Sequence, residues 1–197
     1  MLKHQFDIAP LSILIFLTSS CLVAGQVINP GPCRKDINYL CVDSTRLAGT
    51  WYIQYSYPVW MDKDYRCQQT GFTRGHIVSS DISNVDGSER LKTGTLTFLE
   101  DGQLQIKYNG EDALFFKVLS VDYNNYIVMY SCLDLSSGNH AEYVFIHTRE
   151  PKFDQEVYEL YTGALKTQGI STKELKWTNQ ENCENFAEQP SKRHRWC

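Results

Sequence analysis

From residue 50 to residue 148 the chain repeats one unit: a short run rich in aromatic and β-branched side chains, then a turn. The runs fall at residues 50–57, 67–78, 79–83, 90–99, 103–108, 113–121, 126–133 and 141–148. Asp101-Gly102 and Asn109-Gly110 are two-residue hairpin signals, since Asp, Asn and Gly tolerate the positive φ that such turns need. Asn84-Val85-Asp86-Gly87 and Ser136-Ser137-Gly138-Asn139 are longer turns. Gly71 and Gly75 let the second run bend sharply. Runs joined this tightly pair with their sequence neighbours, and no connection is long enough for a crossover. Eight such strands can close on themselves and so remove both sheet edges. The expected fold is all-β, an eight-stranded antiparallel up-and-down β-barrel, with a two-sheet sandwich as the rival.

The period changes after the last run. Phe153, Val157, Leu160, Tyr161, Ala164 and Leu165 form one helical stripe, and Gly169 is placed to end it. One C-terminal α-helix following all the strands is expected to pack its stripe on the outside of the barrel. Residues 174–177 add a short strand.

Of the 197 residues, 42% are hydrophobic and 21% charged, enough to bury a core, and this excludes wholesale disorder. A net charge of −4 leaves no electrostatic footprint for nucleic acid. Lys3 and His4 precede an apolar run over residues 11–24, too short for a bilayer span, with Val23 and Gly25 as small residues before Gln26. Residues 1–25 are expected to be a signal peptide and residues 26–197 a single domain, secreted and without a membrane span. Removing Cys21 with the leader leaves Cys33, Cys41, Cys67, Cys132, Cys183 and Cys197. An even set in an oxidising compartment reads as three disulfides, the pairing left open. No Cys-x-x-Cys spacing points to a metal, and no Asn-x-Ser/Thr acceptor occurs. No nucleophile elbow, zinc-protease motif or phosphate-binding loop is present, so the chain reads as a binding protein and not an enzyme. Lys192, Arg193, His194 and Arg195 read as a solvated tail.

Gly49-Thr50-Trp51-Tyr52, at the head of the first run, resembles the Gly-x-Trp signature of the lipocalins. Val121-Asp122-Tyr123 with Asn125-Tyr126 is similar to the family's second motif, with Val121 where Thr is usual, and Arg149 stands where the third places an arginine. The segment Tyr130-Ser131-Cys132-Leu133-Asp134, with Gly138 and His140, is similar to the arthropod pigment-binding lipocalins. Crustacyanin subunits, insecticyanin and the bilin-binding proteins belong there, and apolipoprotein D is a vertebrate relative. The resemblance implies that Arg149 lies over Trp51 and seals the closed end of the barrel, both residues being structural. It also implies the disulfides Cys33–Cys132 and Cys67–Cys183, which leaves Cys41 and Cys197 as the third pair.

On that implied pairing, a cysteine bonded to a segment outside the barrel points outward, and strand alternation orients its neighbours. Cys132 outward puts Ile127, Met129 and Ser131 inward. The same parity from Arg149 puts Tyr143, Phe145 and His147 inward. Lys117 outward leaves Leu114, Phe116 and Val118 facing in. Leu104, Ile106 and Tyr108 follow from the next strand back, and Leu96 and Phe98 from the one before it. Trp51 orients Ile53, Tyr55 and Tyr57 toward the mouth. His147 reads either as a polar contact to a ligand carbonyl, carboxylate or propionate, as a haem ligand, or as a histidine satisfied near the barrel floor. The parity places no Asp or Glu inward, as an amine scavenger would need.

An apolar and aromatic lining with a few hydroxyls and one imidazole suits a small hydrophobic ligand, although large inward side chains could equally fill the lumen. The resemblance implies a carrier of a pigment, biliverdin or another bilin or a carotenoid, with no required cofactor beyond that chromophore. The alternatives are a carrier of retinoid, fatty acid or steroid, and a salivary-type lipocalin that blocks a partner or scavenges a small molecule. A homo- or hetero-oligomer is compatible with each. The expected mouth comprises residues 58–65, 86–89, 109–112 and 136–139.

Overall fold

The computed structural model describes residues 27–58, 64–152 and 155–183, with backbone alone for residues 155–157. The expected leader and the basic tail lie outside the described residues. Eight strands run in sequence order: β2 (Gly49–Ser56), β3 (Tyr65–Thr73), β4 (His76–Ser83), β5 (Glu89–Phe98), β6 (Leu104–Tyr108), β7 (Leu114–Asp122), β8 (Tyr126–Asp134) and β9 (Asn139–Thr148). Each is antiparallel to the next, and β9 pairs back onto β2, so the barrel is closed. Two short strands extend the sheet beyond the closure: β1 (Val27–Pro30) along β9, and β10 (Lys176–Trp177) along β2. A short helix α1 (Ser44–Leu47) precedes β2, and the longer α2 (Gln155–Thr167) follows β9.

The run at residues 67–78 is two strands, not one. Its turn falls at Arg74-Gly75, where Gly75 has φ +81°, and β4 begins at His76. Residues 76–78 therefore belong with residues 79–83, and the number of barrel strands remains eight.

Packing divides into an inner and an outer core. Trp51, Phe72, Leu96, Leu104, Val118 and Ile127 are buried inside the barrel. Tyr126, Val128, Tyr130, Val144 and Ile146 are buried on the opposite face, against Tyr161 and Leu165 of α2. The Tyr126 and Tyr161 rings stand 4.7 Å apart between centroids, and Tyr55 and Tyr158 4.9 Å. Leu160, expected on the stripe, is 54% exposed, because Tyr158, Tyr161 and Leu165 define the contact face and Leu160 lies off it. Phe153 and the Val157 side chain lie outside the described residues. The helix ends in a Schellman motif, Ile170 N–H donating to the Leu165 carbonyl and Gly169 N–H to that of Lys166, both at 3.0 Å.

Disulfides join Cys33 to Cys132 and Cys67 to Cys183. Cys41 is an exposed thiol with no disulfide partner among the described residues, and Cys197 lies outside them.

The three motifs meet at the base. The Arg149 guanidinium carbon lies 3.7 Å above the Trp51 ring. Its nitrogens donate to the carbonyls of Tyr123 (3.0 Å), Thr50 (3.1 Å), Arg46 (2.9 Å) and Ala48 (3.1 Å). Trp51 Nε1 donates to the Leu47 carbonyl at 2.8 Å. Asp122 shapes the intervening turn by accepting from Asn124 N–H at 3.0 Å and from Asn125 Nδ2 at 2.7 Å. Burial lowers the Arg149 pKa, and its ring contact and four carbonyls replace the water it has lost.

Candidate functional site

Above this base the lumen holds a cavity of about 140 Å³. One wall is apolar and aromatic: Ile106 and Tyr108 of β6, Leu114 and Phe116 of β7, Met129 of β8, and Tyr143 and Phe145 of β9. Ile53, Phe72 and Ile77 complete it from β2, β3 and β4. The facing wall is polar, made by Gln68, Gln69 and Thr70 of β3 and Ser79, Ser80 and Asp81 of β4. Toward the mouth lie Arg90, Lys92, Glu111 and Asp112.

Two ion pairs stand at the mouth, Arg90 with Asp81 and Lys92 with Glu111. Arg90 Nε donates to Asp81 Oδ1 at 2.9 Å, and the Arg90 guanidinium stacks 3.9 Å from the Tyr65 ring. Lys92 Nζ lies 2.7 Å from Glu111 Oε1. Tyr108 of β6 reaches over the neighbouring β5 to share a short hydroxyl–hydroxyl hydrogen bond with Ser79 of β4. Asp81 is 7% exposed and lines the cavity, so an inward carboxylate is present after all, already held by Arg90.

His147 also lines the cavity, 4% exposed, with its ring 6.3 Å from Phe72 and 5.9 Å from Phe145. Its Nδ1 is buried and has no hydrogen-bond partner among the described residues. Burial pulls its pKa down to about 3, so the imidazole is neutral at physiological pH. Burial likewise raises the Tyr143 phenol.

Of the residues expected to face the ligand, Ile106, Tyr108, Leu114, Phe116, Met129, Tyr143, Phe145 and His147 are brought together around the cavity. Leu96, Phe98, Leu104 and Ile127 belong to the same inner cluster but lie off the cavity wall, packed with the floor. Ser131 is buried, paired in the ladder with Phe116 and Tyr143, and does not line it. Tyr55 and Tyr57 are on the other side of the sheet, in the outer core. The reason is a bulge: Ile53 pairs with His147 but Tyr55 with Ile146, so Gln54 is an extra residue that reverses the parity of the strand beyond it. The Gln54 amide holds the bulge by donating to Thr148 Oγ1 at 2.9 Å and the Pro151 carbonyl at 3.0 Å.

The polar wall escaped the alternation argument, although signals for it exist. Gln68 and Thr70 share parity with Phe72, and Ser79 and Asp81 with Ile77. Parity from Leu96 likewise carries Lys92 and Arg90 inward. Gln69 and Ser80, of the opposite parity and paired with each other in the ladder, border the cavity as well.

The sequence model of the lipocalin and cytosolic fatty-acid-binding protein family matches residues 48–182. The chain belongs to that family. This lipocalin is 26% identical over 171 residues to apolipoprotein D of Macaca fascicularis, covering 83% of this chain and 90% of that one. To the crustacyanin-A1 subunit of Homarus gammarus it is 27% identical over 155 residues, 73% of this chain and 84% of that one. The structure of insecticyanin from the tobacco hornworm Manduca sexta matches with a TM-score of 0.69 at 20% identity, over 79% of this chain and 89% of that one, a likeness of fold. A closed barrel with an apolar cavity is the lipocalin arrangement for small hydrophobic ligands.

Proposed function

We propose that this lipocalin is a secreted carrier that holds one small hydrophobic molecule in its lumen, a bilin or carotenoid pigment, and performs no catalytic step. The observation that carries the reading is the cavity itself, floored by packed aliphatic side chains and walled on one side by Phe116, Phe145 and Tyr143. Its affinity would come from removing apolar area from water. The likeness to crustacyanin and to insecticyanin supports a pigment. At about 140 Å³ the cavity is close to the ~150 Å³ that takes a single benzene ring and below the ~300–1,000 Å³ of most ligand sites. A slender polyene with its far end in the mouth fits this shape better than a broad tetrapyrrole, so a carotenoid is the favoured guest. The apolar run at residues 11–24 and the two disulfides support secretion.

The test is solvent extraction of protein purified from its source, followed by mass spectrometry and absorption spectroscopy. A polyene recovered near one per chain is expected. Protein without extractable guest, which also binds no retinoid, carotenoid, bilin or fatty acid when recombinant, would overturn the carrier reading.

A further inference from the structure

Resting on the carrier reading, we infer that the guest carries a neutral hydrogen-bonding group, a hydroxyl or carbonyl, and that this group enters first and docks on the His147 imidazole deep in the lumen. The ladder sets the depth. His147 pairs with Ile53 on one side and Ile127 on the other, one residue short of the end of β9 and two from Arg149 at the base.

The surroundings of the ring set the chemistry. Phe72 and Phe145 are its ring neighbours, and its buried Nδ1 has no hydrogen-bond partner among the described residues. Several of the other lumen polar groups are already engaged: Ser79 with Tyr108 and, at 3.4 Å, with Thr70; Asp81 with Arg90; Lys92 with Glu111. Among the described residues one other buried side-chain polar atom lacks a partner, Gln54 Oε1, and it does not line the cavity. A buried polar atom left unpaired is costly, so a guest that supplies its partner gains what an unfunctionalised hydrocarbon cannot.

The same surroundings define the charge. Among the described residues no counter-charge reaches the ring, and its burial favours the uncharged form, so it offers nothing to balance a carboxylate or an ammonium. Charged ends of a guest would instead remain at the mouth, where Arg90, Lys92, Asp81 and Glu111 stand. A hydroxyl suits either imidazole tautomer, donating to the bare nitrogen or accepting from the N–H, whereas a carbonyl accepts from the N–H.

The test uses the mature chain with its disulfides formed and four probes of equal length: nonan-1-ol, 2-nonanone, nonanoate and nonane. Each is scored by displacement of N-phenyl-1-naphthylamine fluorescence. His147→Phe is expected to weaken the alcohol and the ketone by about three- to tenfold while nonanoate and nonane change little. His147→Gln, which keeps a hydrogen-bonding group, is expected to restore part of the loss. In the wild-type protein, with no substitution to disturb folding, nonanol should move the ¹⁵N resonances of the His147 ring and nonane should not. Equal losses for all four probes, or ring resonances that respond alike to nonanol and nonane, would overturn the docking inference and leave the carrier reading standing. Failure of every probe, the fluorophore included, to bind wild-type protein would overturn both.

Discussion

Gly49 is set by the space that another residue needs. A Cβ there would lie 2.9 Å from Arg149 Nη1, and the backbone stands at φ +110°, so the glycine of the first motif makes room for the arginine of the third. The guanidinium in turn covers Trp51, which is fully buried. Trp51→Ala is expected to cost about 3–5 kcal/mol in denaturant unfolding, with a smaller effect on guest affinity because the indole lies beneath the cavity. His147 gives a prediction of opposite kind. Its native pKa of about 3 lies below its ordinary 6.5, so on acidification the unfolded chain takes up a proton before the native one does. The contribution of the neutral ring is intact above pH 6.5 and is lost as the pH falls toward 3, by up to about 1.4 kcal/mol per pH unit. Urea titrations across that range should show His147→Phe with a shallower decline than wild type. Equal slopes would mean that the ring protonates in the native state.

At the scale of elements, regular alternation was readable and its interruptions were not. Strands β8 and β9, and β7 up to its irregularity between Val118 and Ser120, keep their period, so parity from Lys117, Cys132 and Arg149 places Leu114, Phe116, Met129, Tyr143, Phe145 and His147 on the cavity wall. The β3–β4 turn was hidden because Arg74-Gly75 lacks the Asn-Gly or Asp-Gly signal, while Gly71 competed with Gly75 as a bend. The polar wall was hidden because glutamine, threonine and serine on an alternating strand read equally well as a solvent face. Gln54 shows the limit most directly: one extra residue moves Tyr55 and Tyr57 from the lumen to the outer core, and a bulge leaves no compositional mark. Deleting Gln54 is therefore expected to destabilise the protein strongly, by forcing two tyrosines inward and stripping α2 of its bed, as read by loss of the cooperative thermal transition. Leu165→Ala, on the helix side of that bed, should cost about 2–5 kcal/mol in urea unfolding and leave guest affinity unchanged, since the inner and outer cores lie on opposite faces of one sheet.

For the molecule as a whole, stability and binding are assigned to different regions of the barrel. Phe116 and Phe145, with ring centroids 5.9 Å apart, line the cavity and pack onto the inner cluster that includes Trp51, Leu104 and Ile127. Phe145→Ala or Phe116→Ala should weaken the bound guest while the native far-ultraviolet circular dichroism persists. Unchanged affinity in both would place the guest elsewhere. A guest at one hundred times its dissociation constant should stabilise the wild-type fold by about 2.7 kcal/mol, visible as a concentration-dependent rise in melting temperature. The two ends of the cup are also secured by different chemistry. Arg149 holds the bottom without a covalent link, while Cys33–Cys132 and Cys67–Cys183 fasten the first and last described segments to strands near the rim. A thiol reductant would thus unbuckle the collar and leave the keel whole, so guest escape should quicken under reducing conditions well before the staves come apart.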